Sequence, residues 1–274
     1  MDCFSGILVT NCGHCNPDIT DRVVEQARKL QHTSSCYFNQ PMIDLARKLG
    51  EITPGLLEQT YFVNSGSEAI EGAILLARHF TGNDIVIAMR HGYHGRSMLS
   101  NACTGIGVWR YVRPEPTAIH FAPNPNCYRC YFDKEYPGCD LRCIEALEDT
   151  IVELGGKVGA ILMESILGVG GYVIPPKEYF KEVKALTEKY GIVLIIDEVQ
   201  TGFARTGRMF AIEHWGIEPD IMTMGKGIAN GFTMAAFITR PEIAKALSIP
   251  IYSTFGGNPV SSAAALATIE YIED

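Results

Sequence analysis

Positive charge is scarce in this chain. Against 31 aspartates and glutamates stand 23 lysines and arginines, a formal net charge of −8 over 274 residues. That balance argues against a nucleic-acid or anionic-membrane partner, since both require a basic surface. No run of about 18 apolar residues occurs, so no segment reads as a membrane-spanning helix. A basic leader with an apolar core and a cleavage site is also missing. The expectation is a soluble, cytoplasmic protein. Internal repeats and low-complexity linkers are absent, and 47% of the residues are hydrophobic. Such a chain is not disordered and can bury the core of one large domain. Nucleotide-binding loops are missing too. Gly225-Lys-Gly227 lacks a following Ser/Thr and an earlier glycine at the phosphate-loop position, and no Gly-x-Gly-x-x-Gly run occurs.

What the chain does have is an alternation of strand and helix patterns. Thr60-Tyr-Phe-Val63, Ile85–Met89, Ala118–Phe121, Val158–Met163, Ile192–Ile196 and Ala235–Thr239 read as strands. Helical spacing covers Asp18 to Leu30, Pro41 to Leu49, Cys139 to Leu154 and Pro176 to Tyr190, with a further helix from Pro241. Alternation of this kind predicts an α/β fold with a mostly parallel sheet and helices on both faces. The Pro/Cys-rich stretch from Pro114 to Gly138 is the longest irregular region.

Three features converge on one chemistry. Lys226 follows the apolar run Ile221-Met-Thr-Met224 and sits between two glycines. Burial disfavours its charged form and lowers its pKa, which makes it an amine able to hold a carbonyl carbon as a Schiff base. Asp197 ends the doubly buried run Ile192–Ile196, at the carboxyl edge where open α/β sheets bind ligands. A carboxylate there needs a cationic partner, and a protonated pyridine nitrogen is one. Asn64-Ser-Gly-Ser-Glu-Ala69 opens a helix reaching Phe80, with Ser65 and Glu68 in a capping-box pattern. Its free N–H groups and an approachable Gly66 form a phosphate cradle. Lysine, acid and helix tip are what pyridoxal 5'-phosphate requires. The bland readings are a solvated turn, an Asp-Lys ion pair and an ordinary helix cap.

These runs, with Asp197-Glu-Val-Gln-Thr-Gly-Phe203, Gly225-Lys-Gly227 and Ser253-Thr-Phe-Gly-Gly-Asn-Pro259, resemble the class III aminotransferases, fold-type I pyridoxal-phosphate enzymes. Phe4-Ser-Gly-Ile7 and Gly13-His-Cys-Asn-Pro17 are similar to the segment that precedes the family's large domain. The resemblance implies transfer of an amino group from an alanine- or ω-amino-acid-type donor to a 2-oxo acid such as glyoxylate, pyruvate or 2-oxoglutarate. Lys226 and Asp197 are the implied catalytic residues. Gly66, Ser67, Tyr93, Glu164, Gln200 and Thr254 are implied to bind the cofactor alongside them. Tyr93 would stack on the ring, Gln200 would reach its phenolic oxygen, and Thr254 would serve the neighbouring subunit of a homodimer. His94 reads as a structural neighbour. Residues 1–45 would lead into a cofactor-binding large domain at 46–274. Because the family continues into a C-terminal small domain, the chain reads as a fragment, and an inactive truncated domain is one alternative.

The chain departs from the family at Glu164-Ser-Ile-Leu-Gly-Val-Gly-Gly171, where Leu167 and Val169 replace an amide and a carboxylate. That weakens a diamine reading and resembles alanine–glyoxylate aminotransferases. Glu164-Ser165, by contrast, resembles the phospholyase branch, which acts on amino-alcohol phosphates. Nine cysteines include Cys127, Cys130, Cys139 and Cys143, whose spacing is compatible with a structural zinc. Reduced thiols or a disulfide are the alternative, and no metal enters the proposed chemistry.

Overall fold

The computed structural model describes residues 2–111, 118–248 and 250–274. Among the described residues seven strands form one sheet: β1 (Gln59–Val63), β2 (Ile85–Met89), β3 (Ile119–Ala122), β4 (Val158–Glu164), β5 (Val193–Asp197), β6 (Ile221–Met224) and β7 (Ala235–Thr239), in the order β1-β7-β6-β5-β4-β2-β3. The pairs β2–β3, β2–β4, β4–β5 and β5–β6 are parallel. β7 alone runs against its neighbours β6 and β1. The cause is the short return from Met224 to Ala235, which has no crossover helix and therefore turns the chain back beside itself.

The six longer helices are α1 (Pro17–Lys29), α2 (Gln40–Ile52), α3 (Gly66–Thr81), α4 (Arg142–Glu153), α5 (Tyr179–Tyr190) and α6 (Pro259–Glu273). Side-chain alternation along the central strands divides the core in two. Val86, Ala88, Ala160, Leu162, Ile195 and Phe237 meet the buried face of α3, where Ala69, Ile70, Ala73, Ile74 and Ala77 are fully buried. Ile87, Ile161, Met163, Leu194, Ile196 and Met222 face the other helices, including Leu45 of α2, Leu147 of α4, Val183 of α5 and Ala264 of α6. Each large aliphatic side chain buried this way contributes roughly 1.5–3 kcal/mol. Ile19 and Val23 of α1 pack into the same core as Leu45.

Several boundaries differ from the sequence reading. α4 begins at Arg142 rather than Cys139, because Asp140 and Leu141 take left-handed backbone (φ +47° and +50°) that no helix continues. α5 begins at Tyr179, after a turn in which the Pro176 carbonyl accepts from the Tyr179 N–H, so the proline precedes the helix rather than opening it. Within the irregular stretch expected from Pro114 to Gly138, residues 114–117 lie outside the described residues. Among the described residues no helix is long and apolar enough to cross a membrane.

Candidate active site

β2, β4 and β5 end side by side, and the loops beyond their carboxyl ends enclose a cleft of ≈ 620 Å³ together with the N-terminus of α3 and the turn after β6. Ligand sites of open α/β sheets form at this edge, at about this size. Lys226 begins the turn Lys226–Ala229 with φ +42°, and Asp197 is the last residue of β5. Both line the cleft. Burial lowers the Lys226 pKa, while the Asp197 and Glu164 charges pull it the other way. The amine therefore loses its proton more readily than an exposed lysine does.

Asp197 is buried and held on both oxygens. Its Oδ2 lies 2.8 Å from His94 Nδ1, and its Oδ1 accepts from Val199 N (3.0 Å) and Thr223 Oγ1 (3.2 Å). Three donors fix the carboxylate in place. Glu164, at the end of β4, accepts from Tyr93 N (2.9 Å) and Gly168 N (2.8 Å). Desolvation raises its pKa to about 7. Glu164 thus pins both the Tyr93 backbone and the Gly168 loop at the cleft.

At the tip of α3, Ser65 Oγ accepts from Glu68 N (3.3 Å), and Glu68 Oε2 reaches back to Asn64 N (2.7 Å). Ser67 Oγ accepts from Arg96 N (3.0 Å), an interaction that leaves its own hydrogen unused. A Cβ on Gly66 would stand 2.9 Å from Val199 Cγ1, so only a glycine lets the helix tip approach the cleft floor so closely. A Cβ on Gly168 would overlap Gln200 Oε1 at 1.7 Å, so that glycine makes room for the amide in the wall.

Gly66, Ser67, Tyr93, Glu164, Asp197, Gln200 and Lys226 all line the one cleft. Thr254 does not; it is exposed on the turn before α6. Cys127, Cys130, Cys139 and Cys143 surround a separate small void. Among the described residues no group of three or more His, Cys, Asp or Glu side chains is arranged to hold a metal ion.

The sequence reading left His94 as a structural neighbour and gave Arg96 and Trp109 no role. His94 is a direct partner of Asp197, and its place in the run His91-Gly-Tyr-His-Gly-Arg96 after β2 was a usable signal. Arg96 also lines the cleft and is exposed. Trp109 stands edge-on to Tyr93 at 6.4 Å, and nothing in the pattern announced it. Ser165 lies outside the cleft: its hydroxyl donates to the buried Glu198, which also accepts from Thr201 Oγ1, Ala211 N and Ile212 N.

An open α/β sheet with a desolvated lysine, a fixed carboxylate and a helix tip around one cleft defines a fold-type I pyridoxal-phosphate transferase. The residues fit that cofactor: the cleft has room for it, and anion-receptive and cation-receptive groups face it from different walls. The family model "Aminotransferase class-III" matches residues 1–274, and the chain belongs to that family, whose members depend on pyridoxal phosphate. It is 40% identical over 276 residues to alanine–glyoxylate aminotransferase 2 homolog 2, mitochondrial, of Arabidopsis thaliana, covering 100% of this chain and 57% of that protein. It is 39% identical over 275 residues to acetylornithine aminotransferase of Methanothermobacter thermautotrophicus, covering 100% of this chain and 65% of that protein. An amine transaminase from an uncultivated Pseudomonas species, solved in its PLP-bound form, superposes with a TM-score of 0.95 at 30% identity, over 100% of this chain and 66% of that one. The chain thus spans less than two thirds of the length of the curated relatives it matches here.

Proposed function

We propose that this chain forms the cofactor-binding part of an enzyme that moves an amino group from an amino acid to a 2-oxo acid such as glyoxylate, pyruvate or 2-oxoglutarate. The observation that carries the reading is the shared cleft of Lys226, Asp197, Tyr93 and the α3 tip. When bound, pyridoxal phosphate supplies an aldehyde carbon for an amine and a ring that accepts an electron pair. Gly66 and Ser67 would hold its phosphate at the helix N-terminus. Tyr93 would cover one ring face, and Gln200 would offer an amide to the phenolic oxygen. Asp197, oriented by His94 and Thr223, would hold a proton at the ring nitrogen. Lys226, desolvated and readily neutral, would take the proton from substrate Cα and deliver it to the carbon that was the cofactor aldehyde, two bonds away. Arg96 offers a cation for a substrate carboxylate. Val169 leaves the facing wall without a negative charge for a diamine.

A homodimer fits the surface around Thr254. Tyr37, Phe38, Tyr252 and Phe255 are all exposed there, with Phe255 61% accessible. Ser35 N donates to Ser253 O (3.2 Å) and Ser253 N donates to Ser35 Oγ (2.9 Å), which joins the two segments into one face. A second copy on this face would bring Thr254 to the neighbouring phosphate.

The test is a donor and acceptor screen of the cofactor-loaded protein, with Lys226→Ala as control. Conversion of L-alanine and glyoxylate to pyruvate and glycine is expected, abolished in the variant. Phosphate release from phosphoethanolamine without any acceptor would assign a lyase instead. The site of Ser165 does not favour that outcome, because its hydroxyl is committed to Glu198. Cofactor capture without turnover would mark a binding domain only.

A further inference from the structure

We infer that Asn230 is a positioning residue that docks the N-terminal strap, residues 4–13, against the lysine turn and so sets substrate affinity. The inference rests on the proposed amino transfer for its kinetic consequence alone. Asn230 follows the Lys226–Ala229 turn and has left-handed backbone (φ +46°), a conformation that asparagine tolerates better than most residues. Its carboxamide then works in two directions at once. Oδ1 accepts from Cys12 N (3.0 Å), and Nδ2 donates to Gly13 O (3.0 Å). One short amide therefore pairs with a donor and an acceptor of the strap, as a neighbouring strand would. Aspartate offers no donor for Gly13, and alanine offers neither group.

Other contacts fix the same strap. Asn16 Nδ2 donates to Cys12 O (3.3 Å), and Asn11 Nδ2 donates to Phe203 O (2.7 Å). A Cβ on Gly227 would stand 2.6 Å from Asn11 Nδ2, so the residue after Lys226 is the floor on which Asn11 lies. The strap needs such anchoring. Ser5, Gly6, Ile7 and Leu8 carry φ of +51°, +58°, +67° and +61° in succession, and such backbone persists only where its surroundings impose it. Phe4, Ile7 and Leu8 of this stretch form part of the cleft wall beside Lys226 and Val169. Asn230 thereby links the turn that presents the amine to the apolar wall a substrate would meet.

The experiment compares Asn230→Gly, Asn230→Ala and wild type. Glycine keeps the left-handed backbone and removes both strap contacts; alanine removes the contacts and strains the backbone as well. The Cys12 amide, read by hydrogen exchange on the cofactor-free chain, is expected to exchange at least about tenfold faster in both variants. KM for the amino donor is expected to rise about tenfold in both, with kcat within about twofold. An Asn230→Gly protein whose Cys12 exchange and KM match wild type, beside an impaired alanine variant, would overturn the inference and leave Asn230 as a backbone requirement only. If wild type shows no amino transfer, the exchange measurement still decides whether Asn230 docks the strap, and the proposed activity is what fails.

Discussion

Glu164→Gln probes the electrostatics beneath the cleft. Glu164 is 4% exposed, and burial raises its pKa from 4.5 to about 7. Below pH 4.5 the carboxyl is neutral in both folded and unfolded chains. As pH rises from 4.5 to 7 the unfolded chain ionises while the folded one keeps its proton, so stability falls through that window. A shift of this size is equivalent to about 3 kcal/mol once pH exceeds 7, of which about 2–3 kcal/mol is lost between pH 5 and 8. Glutamine does not titrate. Its amide opposes one of the two N–H groups held by Glu164, a mismatch of about 1–3 kcal/mol that is the same at every pH. Urea unfolding of the cofactor-free protein at pH 5, 6, 7 and 8 reads the difference. Wild type should lose about 2–3 kcal/mol relative to the variant from pH 5 to pH 8. For an m-value of roughly 3 kcal/mol/M, that is a relative midpoint shift of nearly 1 M. A constant offset across the range, or a wild type that gains on the variant as pH rises, would refute the reasoning. The consequence for the site is that a neutral Glu164 leaves Asp197 as the main negative charge facing Lys226.

Two further substitutions separate structural from chemical roles. Ser165→Ala removes one of four donors to Glu198 and should lower stability by about 1–2 kcal/mol in denaturant, with turnover within about twofold of wild type. A tenfold loss of turnover would place that hydroxyl in the chemistry after all. Gly168→Ala drives a methyl into Gln200 Oε1 and should push the amide from the wall, weakening pyridoxal phosphate binding about tenfold in an absorbance titration. Unchanged affinity would remove Gln200 from the binding set.

Much of this architecture was legible in the residues. The apolar runs at Ile85–Met89 and Ala235–Thr239 are the strands β2 and β7 to the residue, and Gly191 closes α5 in left-handed backbone (φ +66°). The capping pattern at Ser65 and Glu68 marked the start of α3 because side-chain reach within four residues is a local property. Direction was not legible. β7 is buried on both faces like the parallel strands β4, β5 and β6, and nothing in its composition distinguishes a returning strand. Neither was the pairing of His94 with Asp197, since residues far apart in sequence meet only through the order of β2, β4 and β5. The run Phe4-Ser-Gly-Ile7 was read only as a segment ahead of the large domain, and the place of Phe4, Ile7 and Leu8 at the cleft was not legible for the same reason: it depends on Asn11 and Asn230 holding Thr10 to Gly13 against the lysine turn.

The central claim is that the Lys226 amine, desolvated beside Asp197, is the group that captures the cofactor aldehyde. Borohydride reduction of the pyridoxal-phosphate-loaded protein, followed by peptide mass spectrometry, reads it directly. The pyridoxyl group is expected on Lys226, with specific incorporation lost in Lys226→Ala. Modification spread over other lysines, with Lys226 unmodified, would contradict it.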